Sequence, residues 1–358
     1  MVSIYKKHLY LKYLYSFLKV SFIFFIMIII MNLFEEIKFL KDTDNFILLP
    51  FSLTLLNTPS IFFEILPFVI LISAIFFFID LIDSNELVVY KTYGITNFKI
   101  IKIIVSLTLL IGIFMVTIFY NVSANFKFLY FEIKNEYSKD DKYLAVVTEN
   151  GLWIRDKLNK KTSYINAEKL VDDTLLNISI SQFDEAFVLE KLIISEKAFI
   201  KDRNWILKDV IVSNNNNSIK YDQFEFESNF DLKKILSIFE NFSSLNIFKI
   251  KDLKNDYELL GYNTKVIDGY THKLYSYPIY LALMVCLASI LMLKIKYNKS
   301  KLFNITIGIL VSVLIYYMNH FFKVIIETKD VPHIISIWGP QVVILTIVTM
   351  NLVRINEK

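Results

Sequence analysis

The side chains that could do chemistry in this sequence are few and scattered. The four histidines, His8, His272, His320 and His333, have no metal-ligand spacing, and the lone Cys286 cannot form an intrachain disulfide. The seven glycines stand singly, so no G-x-x-x-x-G-K-[ST] loop is present to cradle a phosphate. Neither G-x-S-x-G nor H-E-x-x-H occurs. These patterns argue against a nucleotide hydrolase, a metalloenzyme and a serine-nucleophile enzyme. His320, at the end of an apolar run, reads as a packed or interfacial side chain. Glu64 and Asp80 lie near opposite ends of another apolar run, which argues against a proton or ion relay.

One polar block stands out, Asp83-Ser84-Asn85-Glu86-Leu87-Val88-Val89-Tyr90-Lys91-Thr92-Tyr93-Gly94. It reads as a short amphipathic helix with Asp83 or Ser84 as N-cap and Gly94 as its C-terminal stop. Spacing places Leu87, Val88 and Lys91 on one face. Such a helix can insert into a partner's groove, where Glu86 could meet a basic residue, or it can lie flat on a membrane. Spacing alone leaves both readings open.

The elements around this block are membrane-like. Of the 358 residues, 55 % are hydrophobic, 16 % aromatic and 21 % charged, more apolar than a soluble domain. Six runs are long enough to cross about 30 Å of hydrocarbon. They are Tyr13 to Phe34, Ile61 to Ile79 with a lead-in from Phe46, Ile103 to Phe126, Leu274 to Leu293, Leu302 to Phe322, and Ile334 to Val353. The first is too long for a signal peptide and reads as an uncleaved span. Lysines and arginines flank alternate ends of the runs. Lys6, Lys7, Lys12, Lys91, Lys99, Lys102, Lys294, Lys296, Lys299, Lys301, Arg354 and Lys358 fall on one side, while the other side is nearly charge-balanced. The positive-inside rule then puts both termini and the 83–94 block in the cytoplasm and the long segment after span three outside. The net charge of +4 fits this orientation better than nucleic-acid binding.

That long segment, residues 127–272, is polar and carries short β-type runs about ten to twelve residues apart. These are 151–156, 162–171, 175–183, 191–200, 204–213 and 218–228. The expected fold is therefore a six-span α-helical membrane protein with an all-β, jelly-roll-like domain between spans three and four. The domains are 1–126, with a connecting helix at 83–94, then 127–272, then 273–358. A helical connector is expected from Leu232 to Tyr257, stopping at Gly261. Within the β-region, Leu192 and Ile194 would face one side, and Trp205 and Leu207 a core face.

Several stretches resemble one family. They are ILPFVILISAIFFFIDLIDSNELVVYKTYGIT (65–96), GLWIRD with YINAEKL and LLNISISQFD, the region from Leu259 to Ala288 with Tyr277–Pro278, and Trp338-Gly339-Pro340. Together they resemble the lipopolysaccharide export permeases LptF and LptG over essentially the whole chain, and the closing pattern leans towards the LptG branch. The resemblance implies a bacterial inner-membrane subunit with a periplasmic β-domain. It implies pairing with a homologous, LptF-like six-helix permease on a cytoplasmic LptB-like ATPase dimer. ATP and magnesium would belong to that ATPase, and this chain would bind no cofactor or metal. It further implies LptC-like and LptA-like jelly-roll proteins as a bridge for lipopolysaccharide.

Residue by residue, the resemblance makes 83–94 the coupling helix, with Glu86, Leu87, Lys91 and Gly94 as its ATPase-facing set. Lys38, Lys41 and Lys323 stand where lipid phosphates would be met, with Glu35 and Glu36 beside the first pair. Ile194 and Leu207 are the expected lipid-path positions in the β-domain. A dry path is physically required, because exposing a twelve-carbon chain to water costs about 10 kcal/mol at about 0.8 kcal/mol per CH₂. Two other readings compete. One is a membrane scaffold whose β-domain recruits a partner without transport. The other is a lipoprotein-release permease, in which the outer domain would follow the first of four spans.

Overall fold

A computed structural model of the chain describes residues 4–40, 48–137, 152–158, 161–171, 173–185, 187–214, 217–232, 235, 242–260, 264–294, 301–328 and 333–356. The chain divides into two compact units, Met1–Tyr130 with Lys265–Lys358, and Phe131–Thr264.

The first unit is helical. Helix α1 (Ile4–Phe39) and α2 (Leu48–Asp83) are followed by the short α3 (Glu86–Thr92). Helix α4 (Asn97–Phe114) runs through a π-helical turn (Met115–Phe119) into α5 (Tyr120–Glu136). After the insertion come α7 (Lys265–Lys294), α8 (Lys301–Thr328) and α9 (His333–Asn356), with α6 (Ile247–Leu260) lying inside the insertion. Six of these stretches have the length and composition of membrane spans: α1, α2, α4–α5, α7, α8 and α9. In hydrocarbon every backbone group must be paired internally, which a continuous helix achieves.

Helices α2 and α7 are mostly buried and form the centre of this unit, while α1, α8 and α9 keep most of their apolar surface exposed. Phe22, Met31 and Phe34 of α1 and Leu314 and Tyr316 of α8 are examples.

The centre is organised around prolines. Pro67 lacks an N–H, so the Phe63 carbonyl one turn earlier loses its helical donor. Tyr277 of α7 donates its hydroxyl to that oxygen, and its ring stacks on Phe63 with centroids 4.4 Å apart. Gly112 of α4 meets α7 beside Pro278. A Cβ there would lie 2.7 Å from the Pro278 Cα, so only glycine permits this approach. The π-turn begins three residues later.

The second unit contains β1 (Leu152–Leu158), β2 (Lys161–Val171), β3 (Thr174–Phe183), β4 (Leu189–Phe199), β5 (Asn204–Asn214) and β6 (Asn217–Glu227). All six expected runs are strands, and they form one antiparallel sheet in strict order β1 to β6. Cross-strand register aligns Ile154, Ile165, Ile180, Ile193, Val212 and Ile219 in one row. Such β-branched rows are the favoured side-chain pairing of a pleated surface.

A second feature crosses strands β2 to β6. Glu168, Asn177, Glu196, Asp209 and Asp222 have no Cα partner in the ladder, although the residues on either side pair normally. Asn177 and Asp209 have positive φ, 49° and 51°. Burial therefore steps by three across this crease, from Leu175 to Ile178, from Ser195 to Ala198 and from Leu207 to Val210, where a regular strand steps by two.

The buried face is apolar, with Trp205, Leu207, Phe226, Phe230 and Ile235 in one cluster. The Trp205 indole donates to the Phe230 carbonyl at 2.7 Å. Asp156 of β1 is buried and accepts from the Ser228 hydroxyl at 2.8 Å, the Asn229 amide at 3.0 Å and the Asn229 side chain at 2.8 Å. The expected helical connector is seen at its start, where Leu232 and Ile235 are helical and the Ile235 N–H bonds the Asp231 carbonyl at 3.0 Å; residues 233–234 and 236–241 lie outside the described residues. Strand β6 ends at Glu227, and the later part of the connector is a 3₁₀ turn at Phe242–Ser244 followed by α6. The expected stop, Gly261, lies outside the described residues.

Candidate functional site

The polar block between α2 and α4 folds as a turn and a short helix, with different capping from that expected. Asp83 closes α2 and Ser84 follows it, donating its hydroxyl to the Asp80 carbonyl at 2.7 Å. The N-cap is Asn85, in the left-handed region at φ 55° and without a side-chain capping bond. Asparagine tolerates that region better than most residues. At the other end the Ile95 N–H bonds the Tyr90 carbonyl at 2.9 Å and the Gly94 N–H bonds the Lys91 carbonyl at 3.0 Å. This is a Schellman closure, and Gly94 supplies its positive φ of 76°. The role of Gly94 as a helix stop is thus structural and local.

The facing also differs. Leu87 is only 2 % exposed and points into the unit, so it does not share a surface with Val88 and Lys91. The exposed surface of α3 consists of Val88, Val89, Lys91, Thr92 and, just past it, Tyr93, which is 82 % exposed.

Glu86 is held by residues of this same chain. Its Oε1 accepts from the Lys12 ammonium at 2.6 Å and lies 3.1 Å from the Ser84 Oγ, and its Oε2 lies 3.0 Å from the His8 Nε2. Lys12 also pairs with the Asp80 carboxylate at 3.0 Å. Burial pushes the Glu86 carboxyl up, but hydrogen bonds from Lys12 and His8 and the Lys12 charge outweigh it. The group is held below its ordinary value. The Glu86 side chain keeps 29 % exposure. His8 and Lys12 were not singled out by motif. Their signal was spacing: two basic residues at i and i+4 on the first helix, with Asp80, Asp83 and Glu86 gathered at one later turn.

At the far end of α1, Lys38 is exposed, as is Glu35 three residues before it. Glu36 faces the other way. It is fully buried and accepts from the Tyr130 hydroxyl at 2.8 Å. Nearby, Asn32 donates to the Thr54 carbonyl at 3.3 Å and accepts from Asn57 at 3.1 Å, while Lys127 donates to Asn57. Lys41 lies outside the described residues. Lys323 lies in the last third of α8.

In the sheet, Leu207 is fully buried in the apolar cluster and Ile194 is 46 % exposed. Ile194 pairs with Ile211, also exposed, so these two positions lie on the face opposite Leu207. The two expected lipid-path residues are therefore not on one surface. Among the described residues no group of three or more His, Cys, Asp or Glu side chains could hold a metal ion.

Comparison with known families matches residues 7–354 to the model for the lipopolysaccharide export system permease LptF/LptG, which covers both branches. Comparison with curated proteins gives no match. With nearly the whole chain covered, six membrane-length helices in place and the β-sheet inserted between the third and fourth spans, this chain belongs to the LptF/LptG family of lipopolysaccharide export permeases.

Proposed function

We propose that this chain is one of two homologous permease halves that lift lipopolysaccharide out of the bacterial inner membrane on energy from a separate LptB-like ATPase. The observation that carries the reading is α3. It is a short helix between two membrane spans with Val88, Val89 and Tyr93 displayed, in a chain with no phosphate-binding loop. An apolar, aromatic surface of this kind fits a groove on a partner protein, and Lys91 lies at its edge. Glu86, partly exposed at the start of the helix, borders the same surface.

Sidedness follows from the basic residues, which put α3 and both termini in the cytoplasm and the sheet in the periplasm. The exposed Lys38, with Lys41 and Lys323, is proposed to meet the phosphates of the lipid. The apolar face of the sheet that includes Leu207 is proposed to shelter acyl chains on the way to LptC-like and LptA-like bridge proteins. Exposed Ile194, on the other face, is the alternative position.

The test is co-isolation with the ATPase and the second permease. Val89→Glu with Tyr93→Asp should strip the ATPase from the complex and abolish ATP-dependent lipid release, while the two permeases stay paired. Retention of the ATPase by this double variant would remove α3 as the docking element.

A further inference from the structure

Helix α1 is one uninterrupted rod of 36 residues, about 54 Å long at 1.5 Å per residue. Most of its length presents apolar surface, and its polar bonds gather towards its two ends. At one end His8 and Lys12, one turn apart, grip the α2–α3 junction. At the other, Asn32 and Glu36, also one turn apart, bond to Thr54 and Asn57 of α2 and to Tyr130 of α5.

The first grip is fully satisfied. The three donors of the Lys12 ammonium have three acceptors: Glu86 at 2.6 Å, Asp80 at 3.0 Å and Ser84 at 3.4 Å. The Lys12 side chain is 13 % exposed, so water competes weakly for it. The acceptors belong to both sides of the Ser84–Asn85 turn. Asp80 is on α2 and Glu86 is the first residue of α3, so Lys12 bridges the joint between the two helices. His8 holds the second Glu86 oxygen from the same face of α1.

We propose that Lys12 and His8 are positioning residues that tie α3 directly to α1, so that a displacement of α3 is passed to α1 through Glu86. On this view Glu86 is a linkage within the chain first, and its effect on export runs through helix α1. Without the grip, α3 would connect to the rest of the unit through its flanking turns and the buried Leu87. The inference rests on the proposed docking of the ATPase on α3.

The experiment uses the assembled complex in vesicles containing lipopolysaccharide, with lipid released and ATP hydrolysed measured together. Lys12→Met should leave ATPase association and basal hydrolysis intact and lower lipid released per ATP by about fivefold or more, the size of a typical coupling between sites. Lys12→Arg, which keeps charge and donors, should restore the ratio. His8→Ala, at a half-exposed position, should lower it in the same direction and serves as the readout if Lys12→Met does not assemble. An unchanged ratio in either assembled variant overturns the proposal. So does loss of ATPase binding in Lys12→Met, because the pair would then shape the docking surface rather than transmit from it. If the unsubstituted complex shows no ATPase association or ATP-dependent release, the docking reading fails instead.

Discussion

Removing one hydroxyl, with Tyr277→Phe, tests how the centre of the helical unit is held. The Phe63 carbonyl has no helical donor because residue 67 is proline, and the Tyr277 hydroxyl takes that place. Phenylalanine keeps the ring that stacks on Phe63 at 4.4 Å and 16°, so no cavity opens and only the hydrogen bond is lost. A buried carbonyl left unpaired costs about 1–3 kcal/mol, and interhelical bonds in membranes reach only about 1.7 kcal/mol by double-mutant cycles. The expected loss is therefore about 1–1.5 kcal/mol, or roughly 2–5 °C in the midpoint of thermal unfolding. The decisive comparison is a cycle with Pro67→Ala, which returns an N–H to position 67 and lets the helix satisfy Phe63 itself. On that background Tyr277→Phe should be nearly neutral, giving a coupling of about 1 kcal/mol. The assay is unfolding of the purified full chain and three variants in nanodiscs. Additivity within about 0.3–0.5 kcal/mol would show that the hydroxyl is not replacing the proline's missing donor.

Two further outcomes concern the inserted unit. Asp156→Ala should destabilise it by about 3 kcal/mol, because three donors from Ser228 and Asn229 lose one buried carboxylate. Hydrogen exchange on the full chain should then quicken at residues 152–158 and 228–230, and unchanged protection there would show that the staple carries little. A photo-crosslinker at position 207 should capture acyl chains during ATP-driven release while one at 194 does not. Capture from 194 alone would reverse the assignment of the lipid-bearing face.

The strands were legible because period-2 runs bounded by polar turns survive in the sequence, and each of the six runs became a strand. The facing was harder to read. Ile193 and Ile194 are adjacent, and Ile206 and Leu207 are adjacent, so alternation assigned from one end of a strand fails at the other. The cause is the crease through Glu168, Asn177, Glu196, Asp209 and Asp222, which moves the inward set by one residue in consecutive strands. A skipped pair leaves no compositional mark in one strand. It becomes visible only when neighbouring strands are aligned, and that alignment is tertiary information.

The candidate site was legible in its position and illegible in its partners, for a related reason. A carboxylate on the first turn of a short helix is equally suited to a cation on another protein or on the same chain. The basic partners of Glu86 lie 74 and 78 positions away, beyond any local pattern, and spacing reads Lys12 only as one of the basic residues that orient the first span. Glu36 is the mirror case. In sequence it stands two positions from Lys38, where its charge would oppose phosphate binding. On a helix, however, Asn32 and Glu36 share one face and Glu35 and Lys38 share another. The buried bond to Tyr130 turns the Glu36 charge away from Lys38. Among the described residues of α1, Glu35 is an exposed acid one turn from Lys38 and opposes its charge. The proposed phosphate site at this end of α1 would therefore need positive charge from other elements besides Lys38.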